Sequence, residues 1–276
     1  MPEKPEVITV SKNLEKRILN KTITDCNIYW DNIIAEPSPK EFKKEIIGEK
    51  INSITTRGKF IVLTLDKYVL LIHLRMEGKF FFRDKSDPIV KHEHVELILD
   101  DSISFRYHDV RKFGKMYLIK KEEVYNKKPL SELGYEYYDN SLNSTYLLDK
   151  FSTKKLPIKT VLLDQSIITG IGNIYDDEIL FMSKINPHQP SSTLSKKNCE
   201  DIIKNTKKVL DHAVELGGTT IKSFTSEEGV HGLFQNELLV HGKDKGKCPN
   251  CGTAILKEKI NGRGTYYCPK CQKLKK

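Results

Sequence analysis

The sequence predicts an α+β protein of several domains, with a β-rich N-terminal half, a helical region and a small cysteine-containing module. Three observations support this order. Short β-rich runs fill residues 51–119, helical periodicity dominates after Gly134, and two Cys-x-x-Cys pairs lie beyond residue 240. The length of 276 residues accommodates two domains, or one large domain with an appendage.

A first helix is predicted over residues 7–19. Pro5 and Glu6 are typical of a helix start, because proline fits the first turn and an acidic side chain favours its N-terminus. The apolar residues that fall on one face of this helix are Val7, Val10, Leu14 and Ile18.

Six β-rich runs follow, separated by turn signals such as Asp66-Lys67 and Asp100-Asp101. They cover residues 60–65, 68–74, 79–82, 94–99, 102–107 and 115–119. Strands at this spacing, without helices between them, favour a sandwich or a barrel over a parallel sheet.

Helices are predicted for most of the second half. A segment over 158–163 precedes a turn containing Gly170 and Gly172, and a second helical stretch continues to about residue 182. A long helix over 195–216 ends at Gly217-Gly218, since glycine is the usual helix stop. Its inward residues are Cys199, Ile202, Ile203, Val209, Leu210 and Ala213.

The composition narrows the possible partners. A formal charge of +9 and a pI near 9.0 favour a polyanion, either nucleic acid or an anionic membrane surface. The longest apolar run, residues 68–72, is too short to span a membrane. No signal-peptide pattern is present at the N-terminus, so the sequence predicts a cytosolic protein.

The two Cys-x-x-Cys pairs predict one structural Zn²⁺ ion. Cys248 and Cys251 are separated from Cys268 and Cys271 by sixteen residues, a spacing typical of a zinc ribbon with four thiolate ligands. A redox dithiol is the alternative, but the βαβ context of such a site is missing. Cys26 and Cys199 lie outside the pairs and are expected to be buried thiols.

Arg263 is predicted at the tip of the hairpin between these pairs. Gly262 and Gly264 flank it, so the backbone can approach a phosphate closely and the guanidinium can bind it with two hydrogen bonds. A solvated turn residue is the alternative interpretation.

The N-terminus has the composition of a reactive site. Removal of Met1 leaves Pro2 with a free secondary amine, whose ordinary pKa of about 8 leaves a neutral, nucleophilic fraction at cellular pH. Glu3 is placed to move protons beside it. Many proteins begin with Met-Pro without using the amine, so this hypothesis needs support from the rest of the chain.

That support is the order of short motifs along the whole sequence, which closely resembles the formamidopyrimidine-DNA glycosylase family. The motifs occupy residues 1–7, 57–60, 73–78, 91–95, 109–114, 170–175, 217–220 and 234–238, followed by the zinc hairpin. Lys4 departs from the family pattern, which usually has an apolar residue there.

The resemblance implies an N-terminal β-sandwich flanked by helices over residues 1–133. It also implies a helix–two-turn–helix domain over 134–239 and a zinc finger over 240–276. Damaged double-stranded DNA would be the partner of a monomeric enzyme and would lie in a basic cleft.

The resemblance also implies roles for individual residues. Pro2 would attack C1′ of the damaged nucleotide, Glu3 would act as acid and base, and Lys59 would contact phosphate and assist elimination. Asn173 and Arg263 would hold the phosphates around the extruded nucleotide.

The resemblance further implies which residues contact the rest of the duplex. The gap that the base leaves would be filled by Met76, Arg111 and Phe113. Further contacts to the DNA backbone would come from His92, Lys154 and Lys155.

The implied reaction is excision of oxidised purines, 8-oxoguanine opposite cytosine or formamidopyrimidines, followed by β- and δ-elimination. Residues 223–232 correspond to a loop that closes over the flipped base, and Glu77 is a candidate neighbour of the base.

The alternative hypotheses are an endonuclease VIII-like enzyme for oxidised pyrimidines, a non-catalytic DNA-binding protein and a zinc-ribbon RNA-binding protein. Residues 111–113 and the long loop favour the purine branch.

Overall fold

The computed structural model describes residues 2–219 and 232–275. The chain divides into two compact units, and each is described by itself. Unit 1 contains residues up to 131 together with residues 217–219 and 232, and unit 2 contains residues 132–216 and 233–275.

Unit 1 begins with helix α1, Lys4–Ile18. The helix starts three residues earlier than predicted, because Glu3 and Glu6 form a reciprocal capping box that satisfies backbone N–H groups of the first turn. Pro5 lies in that first turn, where its missing N–H group has no cost. Val7, Leu14 and Ile18 are buried, as the predicted apolar face requires.

Nine strands, one further α-helix and a 3₁₀ turn at Asp31–Ile33 follow in the described part of unit 1. Residues 60–65, 68–74, 79–82, 94–99, 102–107 and 115–119 were expected as strands, and each contributes one with ends shifted by at most two residues. The elements are β1 Ile23–Ile28, β2 Ile34–Glu36, α2 Pro39–Ile46, β3 Ser53–Arg57, β4 Phe60–Thr64, β5 Tyr68–His73, β6 Lys79–Asp84, β7 Glu93–Leu99, β8 Ile103–His108 and β9 Lys115–Lys120.

These strands form a β-sandwich, which confirms the predicted fold class. One sheet has the order β1-β7-β8-β6 and is antiparallel throughout. The other has the order β2-β9-β5-β4-β3 and is antiparallel except for the β2–β9 pair. A single core joins apolar residues from both sheets, such as Leu70 and Ile72 of β5 and Leu97 of β7. Helix α1 packs against β3 and α2 against β1, so helices flank the sandwich.

Unit 2 is helical around its own core. Its helices are α3 Ser144–Ser152, α4 Ile158–Leu162, α5 Asn173–Met182 and α6 Lys196–Glu215. Helix α6 lies one residue inside the predicted bounds at each end, and Ser195 caps it in a box with Asn198. Cys199 is buried in this core and Cys26 in that of unit 1, as expected for thiols outside the zinc module.

The cysteine module of unit 2 is a hairpin of β10 Leu256–Ile260 and β11 Arg263–Tyr267. It has a small apolar cluster in which Phe181 of α5 packs with Val240, Ile255 and Cys268. Gln272 ties the module to the preceding segment, since its side chain donates to the Ile185 carbonyl and accepts from the Cys268 N–H, both at 2.9 Å. Across the described ranges 2–219 and 232–275, we find no helix that combines the length and apolarity of a membrane span.

Candidate functional site

The N-terminal segment of unit 1 is buried and tightly held. Pro2 is buried and Glu3 is 2% exposed at the N-cap of α1. The Glu3 N–H donates to Glu6 Oε2 at 2.8 Å, and the Glu3 carbonyl accepts from the Val7 N–H at 3.0 Å. The residue proposed to carry the reactive amine therefore lies two positions before a fixed helix start.

Glu6 links this segment to a distant part of the chain. Its Oε1 accepts the Thr219 N–H at 2.7 Å and the Thr219 hydroxyl at 3.1 Å. Gly218, with a φ of +80°, approaches so closely that an added Cβ would lie 2.6 Å from Glu6 Oε1. One buried carboxylate thus holds both the start of α1 and the Gly217–Thr219 turn, which explains why only glycine fits at 218.

Lys59 lies in the two-residue turn between β3 and β4, where Gly58 adopts a φ of +54°. Its side chain is 6% exposed, which is unusual for a lysine. Lys4 approaches the same hairpin from α1, because its ammonium donates to Thr56 Oγ1 at 3.0 Å. The unusual Lys4 is therefore wholly buried and connects the N-terminal helix to the strand that leads to Lys59.

His73 ends β5 beside this hairpin, and its ring contacts Phe60 edge to face at 4.8 Å. Its Nδ1 accepts a hydrogen bond from the Arg75 N–H at 3.0 Å, so this nitrogen carries no proton. Burial, reinforced by the charges of Arg75 and Lys59, lowers the pKa of His73 from 6.5 to about 3. The charge of Lys59, in the turn between β3 and β4, therefore acts on His73 of the neighbouring strand β5.

This lowered pKa predicts a pH dependence of stability. The unfolded state takes up a proton at His73 below pH 6.5 and the folded state does not, so stability is complete above pH 6.5 and falls towards pH 3. We expect His73→Asn, which keeps an acceptor for the Arg75 N–H, to reduce the pH slope of the free energy of unfolding by up to about 1.4 kcal/mol per pH unit. Urea titrations at pH 7, 6 and 5 measure this slope.

His212 provides the control, because Glu237 raises its pKa, so its contribution has the opposite sign and is lost as pH rises. His212→Asn should leave the acid-side slope in place. An unchanged slope in His73→Asn would contradict the assignment of the acid sensitivity to His73.

Two loops of unit 1 carry the residues proposed to fill the gap in the DNA. Met76 lies half-buried in the turn between β5 and β6, which the Gly78 N–H closes on the Leu74 carbonyl at 3.0 Å. Arg111 and Phe113 are exposed in the loop between β8 and β9, and the guanidinium lies 4.8 Å from the phenyl centroid. Half of the Phe113 side chain is accessible, so an apolar ring is presented to solvent.

His92 is half-buried at the start of β7 and has a φ of +74°. Its ring contacts those of His94 and His108 at 6.4 and 5.7 Å. Burial lowers the pKa of both neighbours. His92, which is only partly buried, therefore packs against two histidine rings whose protonation burial disfavours.

Asn173 and Arg263 come together in unit 2. Asn173 is the first residue of α5, behind the N-cap Gly172, and its Nδ2 donates to the Gly264 carbonyl at 2.9 Å. Arg263, next to Gly264, is exposed at the beginning of β11, and the Gly262 φ of +81° makes the tight turn before it. The structure thus joins the start of a helix to the backbone next to an exposed arginine, and both a helix N-terminus and a guanidinium suit a phosphate.

A buried ion network lies beneath Asn173. The ammonium of Lys159, on α4, is 2.7 Å from Asp177 Oδ1, 3.4 Å from Asp176 Oδ2 and 3.1 Å from the Asn173 carbonyl. Asp177 also contacts the His241 ring at 2.7 Å, just before the zinc module. The network therefore connects the helix that carries Asn173 to the segment that leads to Arg263.

Lys154 and Lys155 follow helix α3 in unit 2. Lys155 is exposed, whereas Lys154 is partly buried and lies 3.6 Å from Asp164. The Lys154 carbonyl accepts the Ser191 hydroxyl at 2.6 Å, so its backbone is fixed while the charged ends of both side chains reach solvent. Residues 223–231 of the expected closing loop lie outside the described residues.

The four predicted zinc ligands form one cluster. The sulfur atoms of Cys248, Cys251, Cys268 and Cys271 all lie within 4.8 Å of one another. Cys248 and Cys271 are 3.8 Å apart, and Cys251 and Cys268 are 3.5 Å apart. A tetrahedron with Zn–S bonds of about 2.3 Å has edges of about 3.8 Å, so this arrangement fits a single zinc ion.

Sequence reasoning missed several residues that organise these sites. Glu6 was noted only as a helix-start residue, although the capping-box spacing to Glu3 was available. Lys159 looks like an ordinary surface lysine on a short helix, and no neighbouring residue in the sequence indicates that its ammonium is buried. Asp109 lies within the motif at residues 109–114, but its residue type alone does not indicate that it accepts three backbone hydrogen bonds.

The fold combines a β-sandwich unit with a helical unit whose hairpin carries a four-cysteine site. Three family models match in succession: the formamidopyrimidine-DNA glycosylase N-terminal domain over residues 1–116, its H2TH domain over 133–225, and a zinc finger found in FPG and IleRS over 245–274. The chain belongs to the formamidopyrimidine-DNA glycosylase family.

Individual relatives match over nearly the full length. A formamidopyrimidine-DNA glycosylase of Oceanobacillus iheyensis is 44% identical, over 99% of this chain and 98% of its own. A crystal structure of a Lactococcus lactis FPG mutant with a Fapy-dG containing DNA superimposes with a TM-score of 0.92 at 35% identity, over 99% of this chain and 100% of its own. The Lactococcus lactis protein with an abasic site containing DNA gives 0.91 at 35% identity, over 98% and 99%.

Proposed function

We propose that the protein excises oxidised purines, 8-oxoguanine opposite cytosine and formamidopyrimidines, from double-stranded DNA and then cleaves the strand. Pro2, freed of Met1, attacks C1′ and displaces the base, forming an iminium with the opened sugar. The iminium acidifies the C2′ proton, and Glu3 moves protons during displacement and elimination. Successive β- and δ-elimination then release the sugar and leave phosphate ends.

The observation that carries this proposal is the buried, fixed start of α1. A nucleophile gains most from being held at one position relative to its target, and the bond from Glu3 to Glu6 supplies that restraint. Lys59, in the turn beside it, is buried enough for its charge to act strongly on a phosphate or a sugar oxygen.

The proposed phosphate contacts are divided between the units. In unit 2, Asn173 and Arg263 hold the phosphates next to the extruded nucleotide, with Lys154 and Lys155 along the backbone. In unit 1, His92 adds a further backbone contact, and Met76, Arg111 and Phe113 replace the lost base. An aromatic wedge and a forked donor suit that task, because stacking and the hydrogen bonds of the orphaned base must both be replaced.

The test is sodium borohydride trapping on two duplexes, one carrying 8-oxoguanine opposite cytosine and one carrying thymine glycol. We expect a covalent band on the first, mapped by peptide sequencing to Pro2. A band on the thymine glycol duplex alone would favour the hypothesis of an endonuclease VIII-like enzyme. If protein shown by mass to lack Met1 gives no band on either duplex, the result would favour the hypothesis of a non-catalytic DNA-binding protein.

Arg263 gives a prediction about affinity. Replacing Arg263 with Gln removes one phosphate contact, so the slope of log K against log salt should decrease in magnitude by about 1 for a lesion-containing duplex. Lys257→Gln is the matched control in the same hairpin, because that ammonium lies 3.7 Å from Asp244 and is already paired. Equal slopes for Arg263→Gln and the wild type would contradict the assignment.

The domain division of 1–133, 134–239 and 240–276 is proposed as the functional one. It assigns the nucleophile, the phosphate-binding helix and the zinc hairpin to separate segments. A bacterial cytoplasmic location, with the protein associated with the nucleoid through DNA, is proposed because the relatives that match are bacterial and the proposed substrate is DNA.

A further inference from the structure

The loop between β8 and β9, residues 109–114, is organised around one buried carboxylate. Asp109 is wholly buried. Its Oδ1 accepts the Arg111 N–H at 3.0 Å, and its Oδ2 accepts the N–H groups of Phe113 and Gly114, both at 2.8 Å. A carboxylate that accepts three backbone N–H groups fixes the path of the loop, because each bond is charge-assisted and shielded from water.

The Asp109 backbone is held as firmly as its side chain. The Asp109 N–H donates to the His92 carbonyl at 3.0 Å, and the Asp109 carbonyl lies 2.8 Å from His94 Nε2. Lys112 takes up a left-handed φ of +58° to complete the turn. The loop therefore has one strongly specified conformation and presents Arg111 and Phe113 outward from it.

Tyr107 supplies a second support that reaches both loops. Its hydroxyl lies 3.4 Å from Asp109 Oδ2, and a Cβ added to Gly114 would be 1.6 Å from the hydroxyl oxygen. On the other side, a Cβ added to Gly78 would be 2.4 Å from the same oxygen. The turn that carries Met76 and the loop that carries Phe113 therefore both pack against the hydroxyl group of Tyr107.

Burial raises the pKa of this hydroxyl far above its ordinary value, so Tyr107 stays protonated. Its proton can therefore be donated to the Asp109 carboxylate. Because both residues are almost wholly buried, neither is available to contact DNA directly.

We propose that Asp109 and Tyr107 are positioning residues that hold Met76, Arg111 and Phe113 in the arrangement required to enter the duplex as the damaged base leaves. This inference rests on the proposed function and deepens it. Extrusion of a base breaks its pairing and stacking, and the insertion of prearranged side chains offsets that loss without the additional entropic cost of ordering a loop. The pair acts on the opening of the duplex and not on the chemistry at C1′.

The experiment compares two reactions of each variant. The first is single-turnover excision from a duplex carrying 8-oxoguanine opposite cytosine, which needs extrusion. The second is borohydride trapping on a single-stranded oligonucleotide with one abasic site, which needs neither extrusion nor gap filling. Asp109→Asn places an N–H group against backbone donors, and Asp101→Asn, in the exposed turn between β7 and β8, is the matched control.

We expect Asp109→Asn to slow duplex excision by about 100-fold, the typical effect of a displacement near 1 Å, and to change single-stranded trapping by less than about twofold. Tyr107→Phe, which keeps the ring, should lower the ratio of duplex to single-strand activity by a smaller factor. Asp101→Asn should leave both reactions unchanged. Tyr107→Phe also decides the question if Asp109→Asn does not fold.

Trp30 allows the loop to be observed without any reaction. It is the single tryptophan of the chain, and the Lys112 ammonium lies 3.7 Å from its ring centroid. Asp109→Asn should therefore change the Trp30 emission of the free protein, while Asp101→Asn should not.

Duplex excision at the wild-type rate in Asp109→Asn would overturn the proposal, as would a parallel loss of both reactions. A wild-type protein that traps on the abasic strand but excises nothing from the duplex would count against the proposed function instead.

Discussion

Protein that retains Met1 is expected to lose base excision by roughly 10³-fold or more relative to protein from which Met1 has been removed. With Met1 in place the Pro2 nitrogen is an amide and has no nucleophilic lone pair. The α-amine of Met1 would lie one residue, about 3.8 Å of backbone, from the required position. Single-turnover excision from an 8-oxoguanine duplex, with intact mass to confirm each N-terminus, measures the difference.

The variant Pro2→Gly should also suppress excision. Glycine offers a primary amine at the same place, but it lacks the ring that restricts the backbone, and its imine must be protonated before it withdraws electrons. Affinity for undamaged duplex should stay unchanged in both proteins. Pro39→Gly, at the first turn of α2, makes the same substitution elsewhere in unit 1 and should excise normally. Full excision by Met1-retaining protein would rule out the amine of Pro2 as the nucleophile.

Removal of the zinc ion is expected to abolish the phosphate-binding hairpin. The β10–β11 hairpin has only a small apolar cluster of its own, and structural zinc contributes about 10–16 kcal/mol of apparent binding free energy in comparable modules. Cys268→Ser should therefore reduce bound zinc from one ion per chain to none. Because Arg263 then has no fixed position, affinity for a lesion-containing duplex should fall by about 100-fold or more.

The control for this prediction is Cys199→Ala, a buried thiol in α6 outside the cluster, which should retain one zinc ion. Elemental analysis and duplex titration provide the two measurements. Normal zinc content or normal affinity in Cys268→Ser would show that the four thiolates do not form the proposed structural site.

These two sets of variants should separate chemistry from binding. Pro2 lies in unit 1 and the zinc hairpin in unit 2. The N-terminal changes should therefore spare DNA affinity, whereas the cysteine change should spare borohydride trapping on a single-stranded abasic site at a protein concentration that saturates the oligonucleotide. A variant of either kind that lost both properties would indicate general unfolding instead of a local effect.

Local signals in the sequence determined the elements that depend on near neighbours. Apolar alternation identified six of the nine strands in unit 1, and the spacing of two cysteine pairs identified the zinc site, because both patterns act within a few residues. Helix α6 was predicted to within a residue at each end, with Gly217-Gly218 as its stop. The order of motifs along the chain was sufficient to indicate the family and its chemistry.

Elements that depend on distant partners were not predictable in the same way. The apolar residues of strand β1 do not alternate regularly, and the strand is stabilised by pairing with β7, some seventy residues later, as in the Cys26–Leu97 pair. Pairing across such distances depends on the whole sheet, and no short window of sequence contains it.

The tertiary structure alone decided which polar residues organise the sites. Glu6 meets Thr219 from 213 residues away, and Lys159 is buried because Asp176 and Asp177 surround its charge. Asp109 is an ordinary loop aspartate in sequence, yet burial makes its three backbone hydrogen bonds strong enough to specify a loop. Residue type and spacing therefore determined the chemistry and the metal, while burial, which arises only on folding, decided how that chemistry is positioned.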